Sequence, residues 1–259
     1  MTCKLDYFTP IGQETSIAVQ SQVADGDDRN EAGLFWLGGF KSSMDGTKAS
    51  GLATWAGNRG LACTRFDYSG HGASGGAFEA GTISSWLAES IAVFERYTAG
   101  PQIIIGSSMG GWLAMLLYQH LQKQAQGTRA HALVLIAPAA DMTQELMWQR
   151  FSPEVRQTIE DTGVWQRPSA YGDGDYAITK ALIEDGRSHL ILGKATAMEC
   201  PVRILHGELD PDVPWQHGQR LYNQMEGDDI TFTLIKGGDH RLSTEQEIDR
   251  LLKTISALV

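Results

Sequence analysis

Ser108 lies in Gly106-Ser107-Ser108-Met109-Gly110, between the β-branched run Ile103-Ile104-Ile105 and a helix-forming segment, Leu113 to Tyr118. Strand, tight turn and helix in that order fit a nucleophile elbow, where small flanking residues let the chain reverse and leave the hydroxyl exposed above a sheet. The pentapeptide also suits ordinary turns, but no Gly-Lys-Ser/Thr follows to make a phosphate loop. A serine hydroxyl is a weak nucleophile at neutral pH and needs a base within hydrogen-bond reach, itself oriented by a carboxylate. Two later apolar runs end in such groups. Leu205-His206 leads into Gly207-Glu208-Leu209-Asp210-Pro211-Asp212-Val213-Pro214, and Ile235 leads into Gly237-Gly238-Asp239-His240. Ser108, Asp210 and His240 are therefore the candidate nucleophile, acid and base. Asp212 and Asp141 are rival acids, and His71 is a rival base in a glycine-rich loop.

Groups so far apart in sequence need a scaffold, and the hydrophobic pattern supplies one. Lys4 to Phe8 and Thr15 to Val23 read as an antiparallel pair of strands, closed by the turn cluster Asp25-Gly26-Asp27-Asp28. Leu34 to Leu37 is a buried strand, followed by the loop Gly38-Gly39-Phe40-Lys41-Ser42-Ser43. A helix over Thr47 to Arg59, a strand over Leu61 to Phe66, the loop Asp67 to Gly76, and a helix over Thr82 to Tyr97 come next. After the elbow strand, its helix runs from about Met109 to Gln124, and Ala132 to Ala137 adds another buried strand. Alternation of this kind predicts a mostly parallel sheet with helices on both faces.

The alternation breaks over about 141–199, which reads as an insertion over the sheet rather than an independent domain. Its helical pieces are Gln144 to Phe151, Pro153 to Asp161 and Ile178 to Glu184, with a hairpin over Gly163 to Ala177 turning at Tyr171-Gly172-Asp173-Gly174-Asp175. The pattern then resumes with a strand at Val202 to Leu205, a helix at Pro214 to Met225, a strand at Ile230 to Ile235 and a closing helix at Ser243 to Leu258. One α/β domain over 1–259 is the expected organisation.

Composition narrows the function. A formal charge of -10 disfavours a nucleic-acid partner, which would need a basic surface. No apolar stretch approaches the roughly 20 residues of a membrane span, so stable membrane insertion is not expected. Cys3, Cys63 and Cys200 are too few and too scattered for a disulfide framework or a zinc site, His120, His131, His189 and His217 show no paired ligand spacing, and His206, ending an apolar strand, reads as a hydrogen-bonded structural residue. No metal is expected. Met1 to Pro10 lacks a signal-peptide core or an arginine-rich transit pattern, which gives a cytoplasmic address by default.

The chain order of Ser108, Asp210 and His240, each after an expected strand, resembles the α/β-hydrolase superfamily over nearly the whole chain. The resemblance rests on Gly106-Ser107-Ser108-Met109-Gly110-Gly111, His206-Gly207-x-x-Asp210-x-x-Val213-Pro214 and Gly238-Asp239-His240. It implies an α/β-hydrolase fold with a helical and hairpin lid at 141–199, and no cofactor. It also implies that Asp210 fixes the tautomer of His240, which takes the Ser108 proton. The oxyanion donors map onto the backbone N–H groups of Met109 and Phe40, with Lys41 as the alternative because Gly38 stands where a histidine is often found. The stretches Trp36 to Lys48, Arg65 to Gly72 and Gly106 to Trp112 are similar to a narrower branch, that of mitochondrial palmitoyl-protein thioesterases that also cleave acyl glucuronides. This implies hydrolysis of a small acyl ester or thioester. Met142, Leu146, Met147, Trp148, Phe151, Trp165 and Tyr176 in the insertion are candidate substrate-facing residues, Met142, Leu146, Trp148 and Trp165 foremost, although apolar side chains at helical spacing also serve as packing surface. A serine peptidase or amidase, or a ligand-binding protein without turnover, are the alternatives.

Overall fold

The computed structural model describes residues 4–12, 14–24, 31–168 and 174–259. Eight strands form one sheet: β1 Lys4–Phe8, β2 Ile17–Gln22, β3 Gly33–Leu37, β4 Cys63–Phe66, β5 Gln102–Ser107, β6 Ala130–Ile136, β7 Val202–Gly207 and β8 Ile230–Ile235. Their order is β1-β2-β4-β3-β5-β6-β7-β8. β2 pairs antiparallel with both β1 and β4, and every later pairing is parallel.

β5 shows why the central strands read as unbroken apolar runs. Ile103 and Ile105 enter one buried cluster with α1 (Thr47–Gly57) and α7 (Glu245–Ser256), whereas Ile104 enters the cluster on the opposite face with α2 (Ile83–Tyr97) and α3 (Met109–Lys123). Alternate side chains point to opposite faces, so a strand covered on both sides needs apolar residues at every position. Each fully buried isoleucine contributes roughly 1.5–3 kcal/mol of transfer free energy.

Helix starts follow local chemistry. Thr82 caps α2 by accepting from Ser85 N–H, while the Ser85 hydroxyl oxygen accepts from Thr82 N–H. Thr244 and Glu247 form the same reciprocal box at the start of α7, four residues beyond His240. Such a box satisfies two otherwise unpaired N–H groups and fixes the angle at which the chain enters the helix. The loop carrying His240 is thereby held at its far end.

The segment between β6 and β7 departs from the sequence reading in detail. Where a helix over Gln144 to Phe151 is expected, a π-helix, Met142–Met147, runs into a 3-10 turn, Trp148–Arg150. Pro153 then opens α4 (Pro153–Thr162), capped by the Ser152 hydroxyl. Val164–Arg167 and Tyr176–Thr179 pair antiparallel as the expected hairpin, whose turn at Tyr171-Gly172-Asp173 lies outside the described residues, as do Cys3 and the Asp25 to Asp28 cluster. α5 (Lys180–Gly186) starts two residues late, because Ile178 and Thr179 belong to the hairpin and Thr179 caps the helix; beyond β7, α6 (Trp215–Gln224) fills the stretch expected as a helix at Pro214 to Met225. The segment is tied at both ends by Asp141, whose carboxylate accepts from Ile191 N–H at 2.8 Å and Leu192 N–H at 2.9 Å. Asp185 and His189 join it to Ser84 on α2. Among the described residues no helix is long and apolar enough to cross a membrane.

Candidate active site

The elbow is built by steric necessity. Ser108 holds φ 56° and ψ -118°, a strained conformation for a residue with a side chain. It persists because the surroundings over-determine it. Ser108 N–H donates to Ile136 C=O, and Ser108 C=O accepts from Gly111 N–H and Ala139 N–H. A Cβ on Gly106 would overlap the Gly110 carbonyl, and one on Gly110 would overlap the Leu37 carbonyl at the end of β3. Gly110→Ala is expected to destabilise the fold by about 1–3 kcal/mol through overpacking, read as a lower denaturation midpoint, and to depress activity as the serine shifts.

Three separated loops converge on Ser108. Nε2 of His240 lies 3.1 Å from Ser108 Oγ, and Nδ1 of His240 lies 2.7 Å from Asp210 Oδ2. The other Asp210 oxygen accepts from the N–H groups of Asp212 at 2.9 Å and Val213 at 2.8 Å. An ionised carboxylate only accepts, so Nδ1 carries the imidazole proton and Nε2 presents its lone pair to the serine hydroxyl. Asp210 is buried, whereas the His240 side chain keeps 17% of its surface open on the cavity side.

The rival residues are engaged elsewhere. Asp141 is spent on the chain at Ile191 and Leu192. Asp212 lines the cavity, but the carboxylate at hydrogen-bond distance from His240 is that of Asp210. Asp239 accepts from Leu242 N–H at 3.0 Å and shapes the loop around His240. His71 Nε2 faces Lys41 N–H rather than Ser108. His206, fully buried under Asp210, bonds the Val213 carbonyl through Nε2 at 2.8 Å. Asp210, Asp212 and His240 also form the one group among the described residues whose ligand atoms lie within 4.8 Å of one another. Both Asp210 oxygens and both His240 nitrogens already have hydrogen-bond partners, so a cation there would have to displace them.

One supporting residue, the last of the stretch Trp36 to Lys48, has no role legible in the sequence. Lys48, in the first turn of α1, donates to the Arg241 carbonyl and lies 3.4 Å from Ser243 Oγ, bracing the segment that follows His240. Burial pulls its ammonium down to about 8, partly offset by Asp239 and Glu247. Finding it would have required knowing that α1 packs beside the loop after β8.

The loop after β3 passes close over the serine: a Cβ on Gly39 would stand 3.4 Å from Ser108 Cβ. Lys41 N–H donates to His71 at 3.1 Å, which removes it as the alternative to Phe40 N–H. The adjoining cavity, of about 310 Å³, is lined by Ser108, His240, Phe40, Met142, Arg167 and Tyr176 among others. Of the expected substrate-facing residues Met142 and Tyr176 line it. Leu146 is buried in the core, Trp148 lies near the Arg156 and Arg187 guanidinium groups, and Trp165 packs on Phe151. The π-helix and hairpin turn these three into packing surface, and Arg167 joins Met142 and Tyr176 on the wall.

Buried histidines give the fold a pH dependence. Burial pushes His71 and His217 down to about 4 and lowers His206. Unfolded imidazoles titrate near 6.5, so as pH falls through that value the unfolded chain takes up protons the native state refuses, and stability is lost. Asp67, Glu89 and Asp141, whose carboxyls burial raises, oppose this trend closer to the carboxylate range. The urea midpoint is expected to fall between about pH 7 and about pH 5.5, and to fall less in His217→Gln.

Comparison with known proteins places this geometry in context. A model of the alpha/beta hydrolase family matches residues 33–254. The chain is 34% identical over 228 residues to palmitoyl-protein thioesterase ABHD10, mitochondrial, from Homo sapiens, covering 88% of this chain and 72% of that protein. Among solved structures, a putative hydrolase from Agrobacterium vitis S4 superposes with a TM-score of 0.95 at 39% identity, covering 100% of both chains. The alpha/beta hydrolase domain-containing protein 10 from mouse does so with a TM-score of 0.85 at 30% identity, covering 98% of each. These relatives correct one expectation. The curated thioesterases are mitochondrial by name, which contradicts the cytoplasmic address read from Met1 to Pro10; that reading rested on a missing leader pattern, and a missing pattern fixes no compartment. In fold, and in sequence from β3 into the last turn of α7, the chain belongs to the alpha/beta hydrolase family.

Proposed function

We propose that this protein is a serine hydrolase that cleaves small acyl esters and thioesters through an acyl-enzyme intermediate. The observation that carries the reading is the unbroken chain of hydrogen bonds from Asp210 through His240 to Ser108 Oγ, 2.7 Å and 3.1 Å long, at the edge of a cavity. His240 takes the hydroxyl proton as Ser108 Oγ attacks the acyl carbon, and Asp210 stabilises the imidazolium that forms. The N–H groups of Met109 and Phe40 meet the negative charge on the acyl oxygen; loss of one such donor costs about 2.7–4 kcal/mol in the transition state. The proton on His240 Nε2 then passes to the leaving alcohol or thiol, and water repeats the sequence to release the acid.

The relatives named as thioesterases support an acyl-thioester or ester substrate, and the apolar Met142, Phe40 and Ala139 on the cavity wall suit an acyl chain. The test is one acyl group offered as an aryl ester, a thioester and an anilide to the purified protein. Ester and thioester are expected to turn over with kcat/KM at least about 100-fold above the anilide, since proton transfer to a poor amine leaving group is the harder step. Equal or faster anilide cleavage would make the protein an amidase, and no turnover of any of the three would contradict hydrolysis.

A further inference from the structure

The glycine-rich segment Asp67 to Gly76 contributes nothing to the bonds among Ser108, His240 and Asp210, yet its side chains grip the loop that passes over Ser108. Three clasps fall three residues apart on that loop. Tyr68 Oη donates to Gly38 C=O at 3.3 Å, His71 Nε2 accepts from Lys41 N–H at 3.1 Å, and Asp67 Oδ1 accepts from Met44 N–H at 2.6 Å. Asp67 Oδ2 also accepts from Ala73 N–H, and a Cβ on Gly72, which holds φ 45°, would overlap that carboxylate. The segment is folded tightly on itself so that Asp67, Tyr68 and His71 all reach the same neighbour.

The middle clasp falls at the strained point. Lys41 holds φ 57°, a left-handed conformation that costs a residue with a side chain on the order of 1–2 kcal/mol. His71 is the group that receives its N–H. Nδ1 of the ring lies 3.0 Å from the Ser69 carbonyl, which only accepts, so Nδ1 carries the proton and Nε2 the lone pair. The ring is 4% exposed and packs edge-on against Tyr68, Phe78 and Trp86, with centroids 5.5, 5.2 and 5.2 Å away. Burial favours the neutral ring, and the Lys41 ammonium adds to that preference. His71 Nε2 is thus a fixed acceptor for the Lys41 N–H, and its loss removes the bond that pins the turn in this conformation.

We infer that His71 is the positioning residue of the oxyanion loop: by accepting Lys41 N–H it holds the left-handed turn after Phe40, so that Phe40 N–H and not Lys41 N–H serves the acyl oxygen. This rests on the use of Phe40 N–H proposed above. His71 touches no reacting atom. Its effect falls on the transition state, where the oxyanion develops, and little on ground-state binding in the cavity.

The test uses the full chain as His71→Leu, which removes the acceptor, and His71→Gln, whose amide oxygen lies near the place of Nε2. His71→Asn, too short to reach, replaces His71→Leu if the latter is insoluble. Fluorophosphonate titration counts competent serines, and kcat is expressed per titrated serine, so that a loss of folded protein does not register. His71→Leu is expected to lose about 10- to 100-fold in that kcat, with KM within about threefold, consistent with a misplaced oxyanion donor. A trifluoromethyl ketone, whose serine adduct carries the same oxyanion, should weaken in parallel, and His71→Gln should recover most of both. Undiminished kcat per titrated serine in His71→Leu, or a glutamine variant no better than leucine or asparagine, would overturn the role of His71 and leave the reading of the site standing. No labelling of Ser108 in the wild type would overturn that reading and this inference together.

Discussion

Purified His240→Ala is expected to turn over acyl substrates on the order of 10⁴- to 10⁶-fold more slowly than the wild type, with KM little changed. Without the imidazole no group is placed to take the Ser108 proton, and the elbow keeps its shape because Ile136, Gly111 and Ala139 hold the serine backbone independently of His240. The fold should survive: the lost side chain is partly open to the cavity, and its loop is braced by Asp239, Lys48 and the box at the start of α7. Denaturation midpoints and single-turnover acylation, measured together, separate loss of chemistry from loss of structure. A His240→Ala protein within tenfold of wild-type kcat would remove His240 from the mechanism.

The second large effect belongs to Asp210→Asn, for which kcat is expected to fall by about 10⁴-fold. The substitution is nearly isosteric, and its consequence follows from donor and acceptor counts. Asp210 Oδ1 accepts two backbone N–H groups, so the amide oxygen of an asparagine must take that position and its NH2 must face His240. The imidazole would then accept at Nδ1 and carry its proton on Nε2, pointing a donor at the serine hydroxyl it is meant to deprotonate. Higher pH should restore no activity beyond the slow background of hydroxide attack. Asp212→Asn provides the comparison and is expected to stay within about tenfold of the wild type. If instead Asp212→Asn were the dead enzyme and Asp210→Asn the active one, the acid would be the other aspartate of the loop after β7.

The sequence carried the sheet and the elbow because both obey local rules. Ile103-Ile104-Ile105 is apolar throughout since both faces of β5 are covered, and Gly106 and Gly110 are fixed by carbonyls a Cβ would strike. Thr82 announced its helix through a cap that needs only residues three apart. Less was legible where distant segments decide the outcome. Which face of the insertion meets the cavity depends on a π-helix, a hairpin and the bonds that tie Asp185 of α5 to α2 and His189 to α3, so Met142 reaches the wall while Leu146, Trp148 and Trp165 do not. Lys48 and His71 lie in the stretches Trp36 to Lys48 and Arg65 to Gly72, but they act through contacts 193 and 30 residues away, which no local pattern reveals. The swap of β3 and β4 in the sheet order is likewise a consequence of crossover packing and not of any local pattern.

The cavity's chemistry turns on whether one hydroxyl among several serines is activated, and a fluorophosphonate probe asks that of the intact protein. Ser42, Ser43, Ser107 and Ser243 line the same cavity but have no bond to an imidazole oriented by a carboxylate, so they are unactivated bystanders. Mass spectrometry of the wild type after brief exposure should find a single adduct, on Ser108, and none in Ser108→Ala at equal folded concentration. A folded wild type that stays unlabelled, or an adduct that persists when Ser108 is alanine, would contradict the mechanism.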